Sequence, residues 1–157
     1  LRSKMAWRPI EFSPEVFQKY ATKLGVTGLV KFYDVLNLDV DATDSLNMKI
    51  GAVFLLYPSK GKHHCEESNE VKDNSIYFIE QPSPIACGTV AFINGLGNNT
   101  KSLNLAPGSY LTKFLEKSKT MTPKERGELL GKDETLAGMH EDMVEAGQSK
   151  VGGGHVL

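Results

Sequence analysis

The segment from Gln81 to Asn94 places the strongest constraint on the fold of this chain of 157 residues. Ser83 and Pro84 are a plausible N-cap and first position of a helix, because serine can cap free N–H groups and proline has no N–H to be capped. The residues that follow, 85–93, are mostly apolar. We therefore expect a buried helix with Cys87 in its first turn, covered by the rest of the chain.

Three further helices are predicted from local signals. The first begins after Ser13 and Pro14 and stops at Gly25, since glycine suits the end of a helix. The second spans residues 109–119, and the third spans residues 122–130 and opens with the spacing of a capping box. The apolar residues that would form the buried faces of the first two are Val16, Phe17, Tyr20, Leu24, Tyr110, Leu111, Phe114 and Leu115.

Extended structure is predicted at residues 32–36, 50–57 and 75–80, which are rich in β-branched and aromatic residues. The tract 59–74 is highly charged, which indicates an exposed excursion. From Asp133 to Gly154 the chain turns polar and glycine-rich, which favours a loop. The length suits one domain with one core, so we expect residues 1–157 to form a single domain.

The composition argues against several classes of protein. Eighteen Lys and Arg residues stand against nineteen Asp and Glu residues, so no net field attracts nucleic acid or an acidic membrane surface. The longest strongly apolar stretch is much shorter than the roughly 20 residues of a membrane span. Residues 1–9 lack the apolar run of a signal peptide, and Met5 is typical of a natural start preceded by four extra residues. We expect a cytoplasmic protein with no membrane and no nucleic-acid partner.

Cys87 is the candidate nucleophile. The aligned peptide dipoles and N–H groups of a helix N-terminus stabilise an anion and thereby favour the thiolate. Gln81 ends an extended segment, from which its side-chain amide could reach the sulfur and, with the backbone N–H of Cys87, form an oxyanion hole. An unreactive buried cysteine on an apolar helix is the alternative interpretation.

A run from Tyr77 to Gln81, continuing through Cys87-Gly88-Thr89 to Asn99, closely resembles the active-site segment of the ubiquitin C-terminal hydrolases, a family of cysteine peptidases. Further matches follow in the correct order from the family's N-terminal entry to the loop that crosses its active site. These matches are residues 7–11, 13–16, 32–35, 52–58, 108–109, 113–116, 121–126 and 140–149.

The resemblance implies a papain-like α+β fold, in which helices pack on a mainly antiparallel sheet. It also implies that Cys87 attacks the carbonyl after the terminal glycine of ubiquitin, that Gln81 helps to hold the oxyanion, and that a His and an Asp complete a triad. The expected partner is ubiquitin or a ubiquitin-like protein. No cofactor is expected.

Two features depart from the family's pattern. Ile85 stands where the family usually has Asn, which removes one polar group near the oxyanion. The catalytic His of the family is usually followed by Phe and later by the Asp, whereas His155 is followed only by Val156 and Leu157. His155 is either the triad base or a flanking residue in a C-terminally truncated chain, in which case part of the sheet would be missing.

Glu11 and Asp34 match acidic positions that the resemblance associates with ubiquitin contact. The tail of ubiquitin is rich in Arg, so carboxylates beside its path would favour binding. Capping of local backbone by these carboxylates is the alternative interpretation.

Cys65 suggests two further kinds of site. His63-His64-Cys65 offers metal ligands, but adjacent ligands in one exposed tract fit a zinc site poorly, so no metal site is expected. A redox pair of Cys65 and Cys87 would require the two sulfurs to meet.

The sequence therefore predicts a deubiquitinating thiol hydrolase that removes small adducts from the C-terminus of ubiquitin through a thioester on Cys87. The limit to small adducts would come from a crossover loop between about Asp133 and Gly154. The alternative is a truncated or inactive family member that at most binds ubiquitin. Missing sheet strands would also leave an apolar edge exposed.

Overall fold

A computed structural model describes residues 7–36, 49–56 and 75–147 and contains five α-helices within those ranges. The helices are α1 (Pro14–Leu24), α2 (Cys87–Gly97), α3 (Tyr110–Ser118), α4 (Pro123–Gly131) and α5 (Glu134–Ala146), and a 3₁₀ turn at Pro84–Ala86 directly precedes α2. The described parts of the three predicted strands contain no regular strand, and the isolated bridge between Val26 and Leu105 is the β-pairing found in this part of the chain. The antiparallel sheet therefore stays a prediction.

The predicted starts and stops of two helices are confirmed. The Ser13 side chain accepts a hydrogen bond from the Val16 N–H at the start of α1, and Gly25 ends the helix with a φ of 105°. At the start of α4, the Thr122 side chain accepts from the Glu125 N–H, and the Glu125 carboxylate accepts from the Thr122 N–H at 2.7 Å. These caps satisfy N–H groups that helices leave unpaired, which is why short sequence patterns locate them well.

Helix α2 lies in the core, as its apolar sequence predicts. Phe92 is fully buried and stacks on Phe17 and Tyr20 of α1, with ring centroids 4.9 and 5.3 Å apart. Phe54 stacks on the Phe17 ring at 5.6 Å, and Phe32 lies 5.6 Å from the Phe92 ring. Two non-helical segments thus contribute aromatic rings to the cover of α2.

Asparagine side chains at the C-terminal half of α2 hold the segment that leads to Gln81. The Asn94 Oδ1 accepts from the Ile79 N–H at 2.9 Å. The Asn98 side chain accepts from the Tyr77 N–H at 2.8 Å and donates to the Tyr77 carbonyl at 2.7 Å. These contacts satisfy backbone groups that would otherwise need a neighbouring strand.

Helix α5 corrects the prediction of a loop from Asp133 to Gly154. The Asp133 Oδ1 caps this helix by accepting from the Leu136 N–H at 2.9 Å. Leu136, His140 and Met143 form the buried face, at spacings that place them on one side of a helix. An ion pair between Lys23 and Asp142 joins α5 to α1. Residues 148–154 lie outside the described part of the chain.

Several large apolar side chains are exposed on the two non-helical segments at 27–36 and 49–56. Leu29 and Leu36 are 99% and 95% exposed, and Val53 and Leu55 are 73% and 80% exposed. Because the described parts of these segments contain no strand, the predicted apolar edge of a sheet stays a prediction. Such side chains favour association with other apolar surfaces.

Helix α4 fixes the backbone just before Gln81. The Glu80 N–H donates to the Pro123 carbonyl at 2.9 Å, and the Arg126 guanidinium donates to the Phe78 carbonyl at 3.0 Å. Gly127 lies directly against the Glu80 carbonyl, where a Cβ atom would overlap the oxygen. The absence of a side chain at Gly127 therefore allows α4 to approach this segment.

We predict that Gly127→Ala lowers the free energy of unfolding by about 1–3 kcal/mol, because its Cβ would press on backbone that cannot move aside easily. Gly138→Ala is the matched control, since Gly138 also lies in a helix and has no atom within 4 Å of the new Cβ. This control should raise the free energy of unfolding by about 0.5–1 kcal/mol through helix propensity. Chemical denaturation measures both, and similar effects of the two substitutions would contradict the close contact at Gly127.

Candidate active site

Cys87 is the first residue of α2, where the helix continues from the 3₁₀ turn. Neither the Ser83 nor the Ala86 side chain caps this junction. Cys87 is a free thiol and is exposed, although the helix behind it is buried. The predicted position in the first turn is confirmed, and the exposure of Cys87 argues against an unreactive buried cysteine.

Gly88 brings the N-terminal segment against the start of α2. A Cβ at Gly88 would lie 2.6 Å from the Ile10 Cγ1 and 3.4 Å from the Phe12 ring. Atoms at 2.6 Å overlap, so a larger residue would push Ile10 away from the helix. The glycine after Cys87 is thus required by packing at this point of the fold.

Thr89 is the third residue of α2 and is fully buried. Its Oγ1 is 3.1 Å from the Tyr20 hydroxyl and 2.8 Å from the Nδ1 of His140. The Nε2 of His140 is 2.7 Å from the Arg8 carbonyl oxygen, and the Trp7 ring packs edge-on against the imidazole at 4.7 Å. We call Tyr20, Thr89 and His140 the buried relay.

The two ionisable members of the relay are held neutral near neutral pH. Burial lowers the pKa of His140; the hydrogen bond to the Arg8 carbonyl opposes this effect, and the Arg8 charge adds to it. Burial also raises the pKa of Tyr20 above its usual value, against a smaller opposing effect of the Thr89 hydrogen bond. From the sequence, His140 is part of a family match and Tyr20 lies on an apolar helix face, and neither residue is predicted to have a role at the site. The spacing of Leu136, His140 and Met143 was the signal that could have placed His140 in the core.

Gln81 is exposed, and its side-chain Nε2 donates to the Ser83 carbonyl at 2.7 Å. This bond fixes the amide over the turn that connects the preceding segment with Cys87. A side-chain amide has two N–H groups, so one remains for another acceptor. Ile85, which replaces the family's usual Asn, is 45% exposed.

The other predicted site residues are placed as follows. Glu11 is half-buried and packs beside Gly147 at the end of α5. Asp34 is exposed on the segment before residue 37. His155 and Cys65 lie outside the described part of the chain, so the role of His155 as triad base and the redox pair stay predictions.

The described ranges bear on metals and membranes as well. Within residues 7–36, 49–56 and 75–147, no group of three or more His, Cys, Asp and Glu residues is arranged to hold a metal ion. The tract His63-His64-Cys65 is not among those residues. Across the same ranges, every helix is too short or too polar to cross a bilayer.

The sequence of the chain matches the family described as ubiquitin carboxyl-terminal hydrolase, family 1, over residues 7–154. This span contains the segment before Gln81, the start of α2 and all five helices of the described ranges. The chain belongs to the ubiquitin carboxyl-terminal hydrolase family. The family predicted from the residues around Cys87 is therefore confirmed.

Individual relatives agree with this assignment. A ubiquitin carboxyl-terminal hydrolase of Drosophila melanogaster is 35% identical over 154 residues, which cover 92% of this chain and 67% of the relative. The isozyme L1 of Macaca fascicularis is 30% identical over 154 residues, which cover 94% of this chain and 69% of the relative. The chain thus spans about two thirds of the length of these hydrolases.

Two solved structures resemble the fold. Trichinella spiralis UCH37 bound to ubiquitin vinyl methyl ester matches with a TM-score of 0.58 and 22% identity, over 88% of this chain and 53% of that chain. The catalytic domain of the same protein, bound to the same compound, matches with a TM-score of 0.58 and 19% identity, over 89% of this chain and 64% of that chain. The chain therefore has the fold of these catalytic domains and spans about half to two thirds of their length.

We predict that the buried His140 makes the stability of the protein fall at acidic pH. Its folded pKa lies below the unfolded value of about 6.5, so below that pH the unfolded chain takes up a proton that the folded state does not. The free energy of unfolding should decrease as the pH falls from about 6.5 towards the folded pKa, by about 1.4 kcal/mol for each pH unit in that window. Denaturant unfolding between about pH 7.5 and pH 5 measures the slope.

His140→Gln removes this titration and should flatten the slope, even though the variant is less stable overall. Tyr110→Phe is a control, because it removes a hydroxyl that bonds Asp133 at 2.8 Å without removing an imidazole. The Tyr110 variant should keep the wild-type slope. Parallel slopes for wild type and His140→Gln would contradict the prediction.

Proposed function

We propose that the chain supplies the nucleophile of a deubiquitinating thiol hydrolase, which removes small adducts from the C-terminus of ubiquitin. The observation that carries this proposal is the exposed free thiol of Cys87 at the first residue of a buried helix, in a chain of this family. Trichinella spiralis UCH37, which shares the fold, is bound to a ubiquitin derivative. The proposed partner is accordingly ubiquitin or a ubiquitin-like protein.

The proposed chemistry follows from the position of the sulfur. The Cys87 thiolate attacks the carbonyl carbon of the terminal glycine of ubiquitin, and the bond from this carbon to the adduct then breaks, so that the adduct leaves with a proton and ubiquitin remains attached as a thioester. Water hydrolyses the thioester, which releases ubiquitin and regenerates the thiol. The dipole of α2 favours negative charge at its start, both on the sulfur and on the oxyanion of the tetrahedral intermediates.

Gln81 is proposed as the side-chain donor to that oxyanion. Its amide is held by the Ser83 carbonyl on the turn that precedes Cys87 in sequence and keeps a second N–H for the substrate. The contacts of Glu80 with α4 restrain the backbone that carries it. A donor that is already oriented stabilises developing charge without further rearrangement.

The base that deprotonates Cys87 is proposed to be His155. His140 is the one imidazole among the described residues, and both of its nitrogens lie within hydrogen-bond distance of other groups. It is also buried, so it does not serve as the base. The orienting Asp of the triad has no candidate after His155 in this sequence.

Glu11 and Asp34 are proposed to contact the Arg-rich tail of ubiquitin. Glu11 belongs to the same N-terminal segment that packs on Gly88, and so it is held close to the start of α2. Asp34 is exposed to solvent. The proposed limit to small adducts depends on the chain beyond α5, because residues 134–146 are helical and do not form the predicted loop.

A second candidate is a family member that binds ubiquitin without cleaving it. This candidate is favoured by the hydrogen bonds of His140, because both of its ring nitrogens already have partners. The described residues therefore contain no imidazole that is free to act as a base. Loss of one triad member commonly lowers the rate by several orders of magnitude.

Labelling and turnover in the full-length protein distinguish the two candidates. We predict that ubiquitin vinyl methyl ester modifies wild type promptly and stoichiometrically at Cys87, whereas a protein that only binds would remain unmodified. Cys87→Ala should abolish cleavage of a ubiquitin C-terminal amide and retain ubiquitin binding. Cys65→Ala is the matched control and should keep full turnover. Turnover retained in Cys87→Ala would overturn the proposed nucleophile.

A further inference from the structure

The buried relay is a titratable cluster that the proposed chemistry does not use. Tyr20 and Thr89 are fully buried and His140 is 2% exposed. The relay connects three parts of the fold, since Tyr20 lies on α1, Thr89 on α2 and His140 on α5. Each polar atom of a buried side chain in the described ranges has a hydrogen-bond partner, and the members of the relay are satisfied by one another and by the Arg8 carbonyl.

The hydrogen bonds of the relay have one consistent direction. The Arg8 carbonyl oxygen is only an acceptor, so the Nε2 of His140 carries a proton and donates to it. A neutral imidazole has one N–H, so Nδ1 accepts from the Thr89 hydroxyl. The single proton of Thr89 is then used, and the Tyr20 hydroxyl donates to the Thr89 oxygen.

A second proton on His140 would reverse this order. Nδ1 would become a donor to the Thr89 oxygen, and the Thr89 O–H would lose its acceptor. If Thr89 turned this proton towards Tyr20, the fully buried Tyr20 hydroxyl would lose its own acceptor instead, so one of the two buried O–H groups would be left unpaired. An unsatisfied buried donor is unfavourable, so the geometry requires the neutral imidazole.

The charged groups around the relay agree with a neutral imidazole. The positive charge of Arg8 lowers the pKa of His140, and the Arg8 guanidinium pairs with Glu141 of α5. On the side of α1, Lys23 pairs with Asp142 of α5. No carboxylate bonds to a nitrogen of His140, and burial outweighs the hydrogen bond to the Arg8 carbonyl, which is the described contact that favours an imidazolium.

The buried relay contacts the first turn of α2 through Thr89. Thr89 lies two residues after Cys87 in the first turn, and Gly88 between them packs against Ile10. The Arg8 carbonyl, which accepts from His140, belongs to the same N-terminal segment as Ile10. The first turn of α2 is therefore held from two sides by one segment, once through packing and once through hydrogen bonds.

We propose that His140 is a positioning residue for the nucleophile: as the neutral Nε2–H tautomer it fixes Thr89, and through Thr89 the first turn that presents Cys87. Tyr20 completes the arrangement by donating to the same oxygen. This proposal rests on the proposed function, because it concerns the thiol that would attack ubiquitin. It assigns the relay to orientation and gives it no contact with substrate.

The test measures kcat and KM of the full-length protein on a ubiquitin C-terminal amide, with kcat expressed per Cys87 thiol titrated by ubiquitin vinyl methyl ester. Thr89→Val and His140→Gln should each lower kcat roughly tenfold to hundredfold, because small displacements of a reacting atom have effects of that size. KM should change little. The double variant should be no worse than the single variants, since both remove the same hydrogen bond.

Three comparisons separate positioning from a general loss of stability. Thr89→Ser keeps the hydroxyl and should retain most of the wild-type kcat. Tyr110→Phe removes a comparable hydroxyl from its bond with Asp133 and should leave kcat unchanged. Additive effects of Thr89→Val and His140→Gln, or a wild-type kcat per titrated thiol in either, would overturn the proposal.

A second measurement works without turnover. In a Cys65→Ala background, the rate of Cys87 alkylation by iodoacetamide should fall roughly two- to fivefold in Thr89→Val and in His140→Gln, as expected when a thiolate loses its alignment with a helix start. If wild type neither cleaves nor is labelled but the alkylation rates fall in this way, the proposed function fails and the positioning role stands. Unchanged alkylation together with unchanged kcat would exclude the role.

Discussion

The fold is organised around the buried helix α2. Its aromatic contact with α1 at Phe92 and Phe17 holds the middle of the helix, and asparagines at its C-terminal half hold the segment that leads to Gln81. A helix with an apolar surface of this kind is stable only when other elements cover it. The other helices and the aromatic residues of the non-helical segments supply that cover.

The start of the same helix is different, because Cys87 is exposed there while the residues that follow it are buried. Gly88 lets Ile10 approach the backbone closely, and Thr89 takes its partners from α1 and α5. A precise site depends on such supporting contacts, since exposed side chains alone do not fix the position of a reacting atom.

Much of the fold and part of the site could be predicted from local sequence. The caps at Ser13 and Thr122 join residues only three apart, so the chain carries the whole signal within one turn. Helix α5 was missed, because the glycines and charges after residue 133 outweighed the apolar spacing of Leu136 and Met143. The position of Cys87 was predictable for the same local reason as the caps, whereas its exposure was not.

Local sequence patterns were enough to predict the family, the helix that contains Cys87 in its first turn and the need to cover that helix. Tertiary structure decided that Arg8, Tyr20, Thr89 and His140 meet, because their contacts join parts of the chain that are distant in sequence. It also decided that His140 is neutral, since the pKa of an imidazole depends on burial and on neighbouring groups. No pattern of nearby residues encodes these quantities, as they arise only when separate elements pack together.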